Sequence, residues 1–502
     1  MSLSRRIFFW LLVVSFFATS STIISYALGY RWSSDRGVFV YAGSLTIVSN
    51  PEDIDVSVNN QPLAGRLNYL NHSYHISGMR PDQYIVQVTA PEFQPWSKKI
   101  TINSGVSTEF WNVLLVRDLY TRTTYDVENV RRFFIAPQKS RLVTVGDSDQ
   151  KLTLTLTNHD TQESQQLFST NDYHFVSDIQ KNIEWSPQAH RMIVPVISTT
   201  ETSGIASSLL SSTDAIDDYL VVTVDTGEYL SLRSLLGLPN FVPIENVRWH
   251  PKKRDVVYYL LDNILYRASV GGSATAINVV ATNVSAYDFS DDGLTYLDAT
   301  TLILYHTDDI ESAQEPIQIT TAQPDLSDSS YRLISYDKDR ATLLNDSGTL
   351  YLFNRSPKNG VFFEKIADNV VGTHFSNDGK KLLYWNENEI FAYFTRDWDT
   401  QPSRSEGEHI AITRFAQKLR SVQWSVSYEQ VIFVVGNEVK VIELDNRDHR
   451  NVFTIAHLRS SDSLAVSDHS NKMLFFTDYQ PGTRISTLQS IEFPEKTGFF
   501  NF

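Results

Sequence analysis

A short pattern that returns at near-regular intervals constrains this chain more than any other feature. It is an apolar or aromatic residue, a polar turn carrying Ser with Pro, Asp or Gly, then a basic or polar residue that leads into an apolar run. Clear copies are Trp185-Ser186-Pro187, Trp249-His250-Pro251, Phe289-Ser290-Asp291-Asp292-Gly293, Phe375-Ser376-Asn377-Asp378-Gly379 and Trp424-Ser425. Weaker copies are Ile135-Ala136-Pro137, Ile334-Ser335-Tyr336-Asp337 and Val466-Ser467-Asp468. Between the anchors 135, 185, 249, 289, 334, 375, 424 and 466, most steps are about 40 to 50 residues, the period of a four-stranded propeller blade. Eight anchors predict an all-β ring of eight blades, or seven if the weak copy near Ile334 opens none. The aromatic anchors are expected to pack between blades.

One blade is legible nearly whole. Val247-Arg248-Trp249 is its inner strand and 255–261, 264–270 and 275–281 are the next three, with turns at Asp262-Asn263 and Gly271-Gly272. Those residue types tolerate the positive φ of a tight hairpin. The last repeat offers strands at 464–466, 473–477 and 485–491 but hardly a fourth. The upstream segment 119–125 is therefore expected to supply that outer strand and fasten the ring. The repeat region, 117–502, resembles the TolB-like, WD-type propellers, although no strict Trp-Asp signature is present. That resemblance implies an architecture that hosts many functions and adds little about mechanism.

The N-terminus is of another kind. Arg5 and Arg6 close a stub of residues 1–6, and 7–28 is then free of charge and rich in Phe, Leu, Val and Ile. At 1.5 Å per residue this run spans roughly 33 Å, enough for the hydrocarbon core of a bilayer. Segment 7–29 reads as a transmembrane signal anchor, with a cleaved signal peptide as the competing reading. The two arginines place the N-terminus in the cytoplasm and the bulk of the chain outside, and Trp10, Tyr26, Tyr30 and Trp32 are expected near the membrane interfaces. A linker, 30–43, follows.

Residues 44–116 read as a compact sandwich of short antiparallel strands with period-two patterning, at 45–48, 55–58, 84–88, 99–102 and 108–116. Pro51-Glu52-Asp53-Ile54, Arg80-Pro81-Asp82-Gln83-Tyr84 and Pro91-Glu92-Phe93 resemble the turns of a PEGA domain. Asp53-Ile54 replaces the family's Gly-Ala, and Asp82 and Glu92 stand where Gly is usual. The resemblance implies a surface-associated β-sandwich adaptor of envelope proteins, and it brings no catalytic residues.

Composition narrows the function classes. A net charge of -15 argues against sequence-independent nucleic-acid binding, which needs cations to displace counterions. The chain has no cysteine, so thiolate chemistry is absent. No nucleophile elbow and no His-x-x-x-His pair occur. His72 and His75 would fall on opposite faces of a strand. Asp288 to Gly293 has the look of an acidic calcium loop, but Ala299 stands where the bidentate Glu belongs. No catalytic residue, metal ligand or cofactor site is therefore assigned.

What differs between repeats carries the remaining signal. The long step holds a Ser/Thr-rich insertion, 198–217, read as a loop off the second blade in which Ile205, Leu209 and Leu210 are candidates for contact with a partner. Trp398, within Arg396-Asp397-Trp398-Asp399, is a candidate for stacking on a protein or glycan, or else packs on its own blade. The expected protein is a membrane-anchored binding or scaffolding component of the cell envelope that recognises protein or polysaccharide. The alternative is a propeller-based hydrolase or lyase acting on envelope polymers.

Overall fold

Alternating runs of four to eight residues make strands almost everywhere beyond residue 29. The computed structural model describes the chain except residues 1–2, 34–36, 63–65, 69–71, 138, 149–150, 177–182, 199–217, 240–241, 272–275, 313–314, 322–329, 461, 484 and 495–502. Leu3–Ala27 is a 25-residue helix with no buried side chain. It is long and apolar enough to cross a membrane.

The stretch read as a linker, 30–43, instead pairs as a hairpin of Tyr30–Ser33 with Val38–Tyr41. Its own alternation, Tyr-Arg-Trp against Val-Phe-Val-Tyr, is a strand pattern too short to stand out beside the helix.

Next comes a sandwich of two four-stranded sheets. One runs Ser107–Leu114, Gly43–Asn50, Ser73–Met79, Arg66–Asn68; the other runs Gln61–Pro62, Asp55–Val58, Asp82–Thr89, Trp96–Ile102. The expectation of purely antiparallel strands fails at one pair, since Ser107–Leu114 lies parallel to Gly43–Asn50. The chain crosses from the second sheet back to the first at residues 103–106, so its closing strand joins the edge running the same way as the opening one. The core holds Leu45, Ile47, Val86, Val88, Trp96 and Phe110, and it is continuous with apolar residues of the ring such as Phe453 and Phe493.

Among the described residues eight sheets follow, seven of four strands and one of five. Blades one to eight begin at Val130, Tyr173, Glu245, Val284, Tyr331, Gly372, Leu419 and Ala465. The weak copy near Ile334 opens a full four-stranded blade, which decides for eight over seven. In the last blade Thr123–Glu128 pairs with Ser486–Glu492, with Thr123 opposite Ser490. The segment ahead of the first blade thus completes the last one, as expected from its missing fourth strand.

Register shows what the repeat means. Ile135, Trp185, Trp249, Phe289, Ser335, Phe375, Trp424 and Ser467 each pair with the second residue of the next strand. In blades five and eight the anchor is therefore Ser335 and Ser467, one residue beyond the apolar residues at 334 and 466 that the pattern suggested. Trp249 and Trp424 are 3% and 0% exposed, and burying a large aromatic side chain contributes roughly 2 to 3 kcal/mol. Each indole also donates across to the preceding blade, Trp249 Nε1 to Glu184 O at 3.0 Å and Trp424 Nε1 to His374 O at 3.1 Å. Positive φ at Gly379 (63°) closes the Asn377-Asp378-Gly379 turn, where a Cβ would lie 2.2 Å from the Tyr336 ring.

Candidate functional site

The residue before each anchor sits on the innermost strand, next to the axis of the ring. These residues are Phe134, Glu184, Arg248, Asp288, Ile334, His374, Gln423 and Val466. Three consecutive blades supply an ion ladder: Arg248 Nε lies 2.8 Å from Glu184 Oε2, and Arg248 Nη1 lies 2.6 Å from Asp288 Oδ1. The same carboxylates hold the next blade's backbone. Glu184 Oε1 accepts Trp249 N at 3.0 Å and Asp288 Oδ2 accepts Ser335 N at 2.9 Å, while Gln423 Oε1 accepts Ser467 N at 2.8 Å.

These side chains thus act as latches between neighbouring blades. Glu184 and Arg248 still reach water along the axis, being 28% and 36% exposed, yet protein surrounds them on all sides. Burial pushes the Glu184 carboxyl above its usual range, against the pull of Arg248. Glu184 in turn raises Arg248, which stays charged. Across the ring His374 reaches water along the axis but is enclosed by protein, and it is depressed to about 4, first by desolvation and then by His469 and Arg332. Sequence reading missed this ladder because Glu184, Arg248 and Asp288 are scattered over about a hundred residues, and only the register of three blades aligns them.

A Ser–His–Asp chain also forms, at the first clear copy of the repeat. Ser186 Oγ lies 3.1 Å from His190 Nδ1, and His190 Nε2 lies 2.9 Å from Asp255 Oδ1. Its geometry is that of a turn and not of a nucleophile. Ser186 is fully buried and its Oγ accepts Arg191 N at 3.0 Å. Ser376 does the same for Lys381 N at 3.0 Å, and at the equivalent place His250 Nδ1 accepts Lys252 N and Lys253 N at 2.9 Å. A hydroxyl occupied in this way has no path to a substrate carbonyl.

The two ends of the ring are unlike. One end carries the loops between first and second and between third and fourth strands, and there the sandwich docks on blades six to eight. Lys98, 1% exposed, drives its ammonium into the blade-seven loop, donating to Asp445 O and Arg447 O at 3.0 Å and to His449 O, and pairing with Glu443 at 2.7 Å. Trp96 Nε1 donates to Glu443 Oε2 at 2.9 Å, Gln430 Nε2 to Asn112 O at 2.7 Å, and Arg447 Nη2 to Glu109 O at 2.8 Å. The Arg447 guanidinium also covers the Phe110 ring at 3.9 Å.

Trp398 lies at this same end, in the loop between the third and fourth strands of blade six. Its ring is half-buried against the core of blades six and seven, with Lys381 Nζ 4.0 Å from its centroid. Lys381 is itself buried and paired with Glu429. Three residues on, Gln401 grips the sandwich, accepting Glu109 N at 3.0 Å and donating to Ser107 O at 2.9 Å. Ile205, Leu209 and Leu210 lie outside the described residues. The strand ends that flank their insertion, Ser198 and Asp218, belong to the opposite end of the ring.

That far end has the hairpins between second and third strands and the connections between blades. An open depression of about 990 Å³ lies there between blades five and six, lined among others by Asp346, Asn369, Glu387, Asn388, Glu389 and Arg414. Asn388 ties its turn to the connection leaving blade six by donating to Phe415 O at 3.1 Å and Gln417 O at 3.3 Å, so the carboxylates of Glu387 and Glu389 form the polar rim. Their cations are exposed, Lys418 at 2.5 Å from Glu387 and Arg414 at 3.7 Å from Glu389. Among the described residues no group of three His, Asp or Glu side chains is arranged to hold a metal ion.

No protein-family profile matches this chain, and no curated protein does. Among solved structures it is similar to Saccharomyces cerevisiae Sqt1, at 10% identity and a TM-score of 0.45, over 75% of this chain and 98% of that one. It is also similar to the β-propeller domain of Myceliophteria thermophila Cps50 (Swd1), at 10% identity and a TM-score of 0.41, over 74% and 99%. A third is Kluyveromyces lactis Hsv2, at 9% identity and 0.38, over 65% and 98%. The fold stands on the strand pairing of this chain itself.

Proposed function

We propose that this chain is a membrane-tethered, extracytoplasmic recognition protein of the cell envelope that takes a protein or polysaccharide partner on the far end of its propeller. One observation carries the reading: the chain's own sandwich occupies the near end through buried polar groups, while the far end presents an open depression and the roots of the insertion. The N-terminal helix is the tether, with Arg5 and Arg6 on the cytoplasmic side. The sandwich is of PEGA type and acts as an adaptor between helix and ring.

A hydrolase or lyase would need free ionisable groups near the axis. Glu184, Arg248 and Asp288 are committed to one another and to backbone amides, and His374 stands across the ring from them, which favours recognition over catalysis. The insertion with Ile205, Leu209 and Leu210 is proposed as part of the recognition surface, since it is rooted at the far end. Trp398 is proposed as a secondary contact at the near end, through the edge its own blade leaves exposed.

Photo-crosslinking residues in native membranes test this. Probes at Glu387 and Asn388 should capture one stoichiometric protein or a defined glycan, and a probe at Asp399 should capture far less. Capture from Asp399 alone would sink the proposal.

A further inference from the structure

The hairpin that follows the helix has two unlike faces. Its register sets Tyr30 opposite Tyr41 and Trp32 opposite Phe39, so four aromatic rings stand on one face; Arg31, Ser33, Val38 and Val40 take the other. The rings pair across the strands, Tyr30 with Tyr41 at 5.3 Å and Trp32 with Phe39 at 5.2 Å. All four stay 40% to 46% exposed. A lone two-stranded ribbon is marginal in water, and a contiguous aromatic face needs a cover.

We infer that this aromatic face seats in the headgroup layer of the bilayer, beside the point where the helix emerges. The inference rests on the reading of the helix as a membrane anchor. Position argues for lipid over a protein cover. Only Leu28 and Gly29 separate the helix from the hairpin, so its first residue lies within roughly 10 Å of the helix end. The interfacial layer beyond the hydrocarbon is about 5 to 8 Å deep. A hairpin held that close begins within this layer or at its outer edge.

Chemistry agrees. Tyr and Trp are the residues that favour an interface with one apolar and one wet side. Arg31 turns back to the last helical turn, donating to Tyr26 O at 3.0 Å, with its guanidinium 4.8 Å from the Tyr26 ring. That contact caps the helix C-terminus with a cation and fixes the angle between helix and hairpin.

At its Tyr41 end the hairpin is tied to the sandwich. Ser104 Oγ donates to Tyr41 O at 2.9 Å, and Gly105, at φ 70°, lets the Tyr41 ring approach where a Cβ would lie 2.7 Å from it. Helix, hairpin, sandwich and ring thereby form one chain of fixed contacts. A seated hairpin sets the orientation of the propeller over the membrane.

The absence of cysteine makes the test clean. Phe39→Cys, Val38→Cys, Ile24→Cys and Leu119→Cys each place one environment-sensitive fluorophore on the full-length chain reconstituted in phosphatidylcholine vesicles. Leu119, 86% exposed, reports bulk water, and Ile24 reports the helix. The label at Phe39 should shift to the blue and lose most of its emission to lipids spin-labelled near the headgroup, and the label at Val38, on the opposite face, should lose less. If Ile24 is quenched while Phe39 matches Leu119, the hairpin inference is overturned and the anchor stands. If Ile24 is itself aqueous, the anchor reading and the inference that rests on it both fall. A Phe39 label that shifts blue without lipid quenching would mean a protein cover, and that also overturns the inference.

Discussion

The two ends of the propeller use polar groups in opposite ways. At the near end they are buried and paired across the seam: Lys98 with three carbonyls and Glu443, Gln401 with both a donor and an acceptor on the sandwich, Arg447 over Phe110. At the far end, around the depression, Asn386 satisfies its own turn, Asn388 ties that turn to the connection leaving blade six, and Glu387 and Glu389 meet exposed cations. Buried polar groups fix a geometry because leaving them unpaired is costly. Exposed ones cost little to repurpose, so they are available to a partner. The near end is where the chain binds itself, and the far end is where it has capacity left.

The largest expected effect breaks that contrast at the near end. Lys98→Met removes the ammonium and leaves Glu443 and three carbonyls facing an apolar side chain, at a cost of about 3 to 4 kcal/mol. Denaturant titration of the detergent-solubilised chain should show the sandwich releasing before the ring, with new protease cleavage in 117–122. Unchanged cooperativity would mean the seam is held by its apolar core alone.

Acid should act next, and away from the sandwich. His250 is 2% exposed, and its Nδ1 accepts two amides only while unprotonated. Burial first, then Lys253 and Arg267, depress it to about 4. Because this lies below the unfolded value of about 6.5, the unfolded chain binds the extra proton first. Stability is full above that pH and falls as pH drops towards 4, by about 3 kcal/mol. His250→Asn, which keeps an acceptor for the turn, should flatten that slope.

Gln401→Ala removes two hydrogen bonds across the seam and should cost about 1 kcal/mol in the same titration, against 3 to 4 for Lys98. The smallest effect belongs to the far end. Glu387→Ala should leave stability within about 0.5 kcal/mol of the parent chain while lowering capture of the far-end partner. A large loss of stability there would erase the difference between the two ends.

The burial of Trp249 and Trp424 at one repeat position between blades, the turn at Asp262-Asn263 and the closing strand from ahead of the first blade were all legible in the amino-acid sequence. The first two depend on neighbours within a period or two, where hydrophobic spacing and turn chemistry speak directly; the third followed from counting strands, because the last repeat lacks a fourth and the segment ahead of the first blade has no sheet of its own. The one-residue offset of Ser335 and Ser467 was not legible. A small polar residue at an anchor carries no aromatic signal, and in a strand a slip of one residue exchanges the two faces.

Sequence alone determined the apolar helix, the blade period and the absence of cysteine chemistry, because local composition and spacing decide these. Tertiary structure decided which end of the ring is covered, how Glu184, Arg248 and Asp288 meet, and that residues 30–41 form an aromatic-faced hairpin. Lys98 and Asp445 stand almost 350 residues apart, and no local propensity encodes a contact at that separation. Only closure of the ring, which brings blade seven beside the start of the chain, places them together.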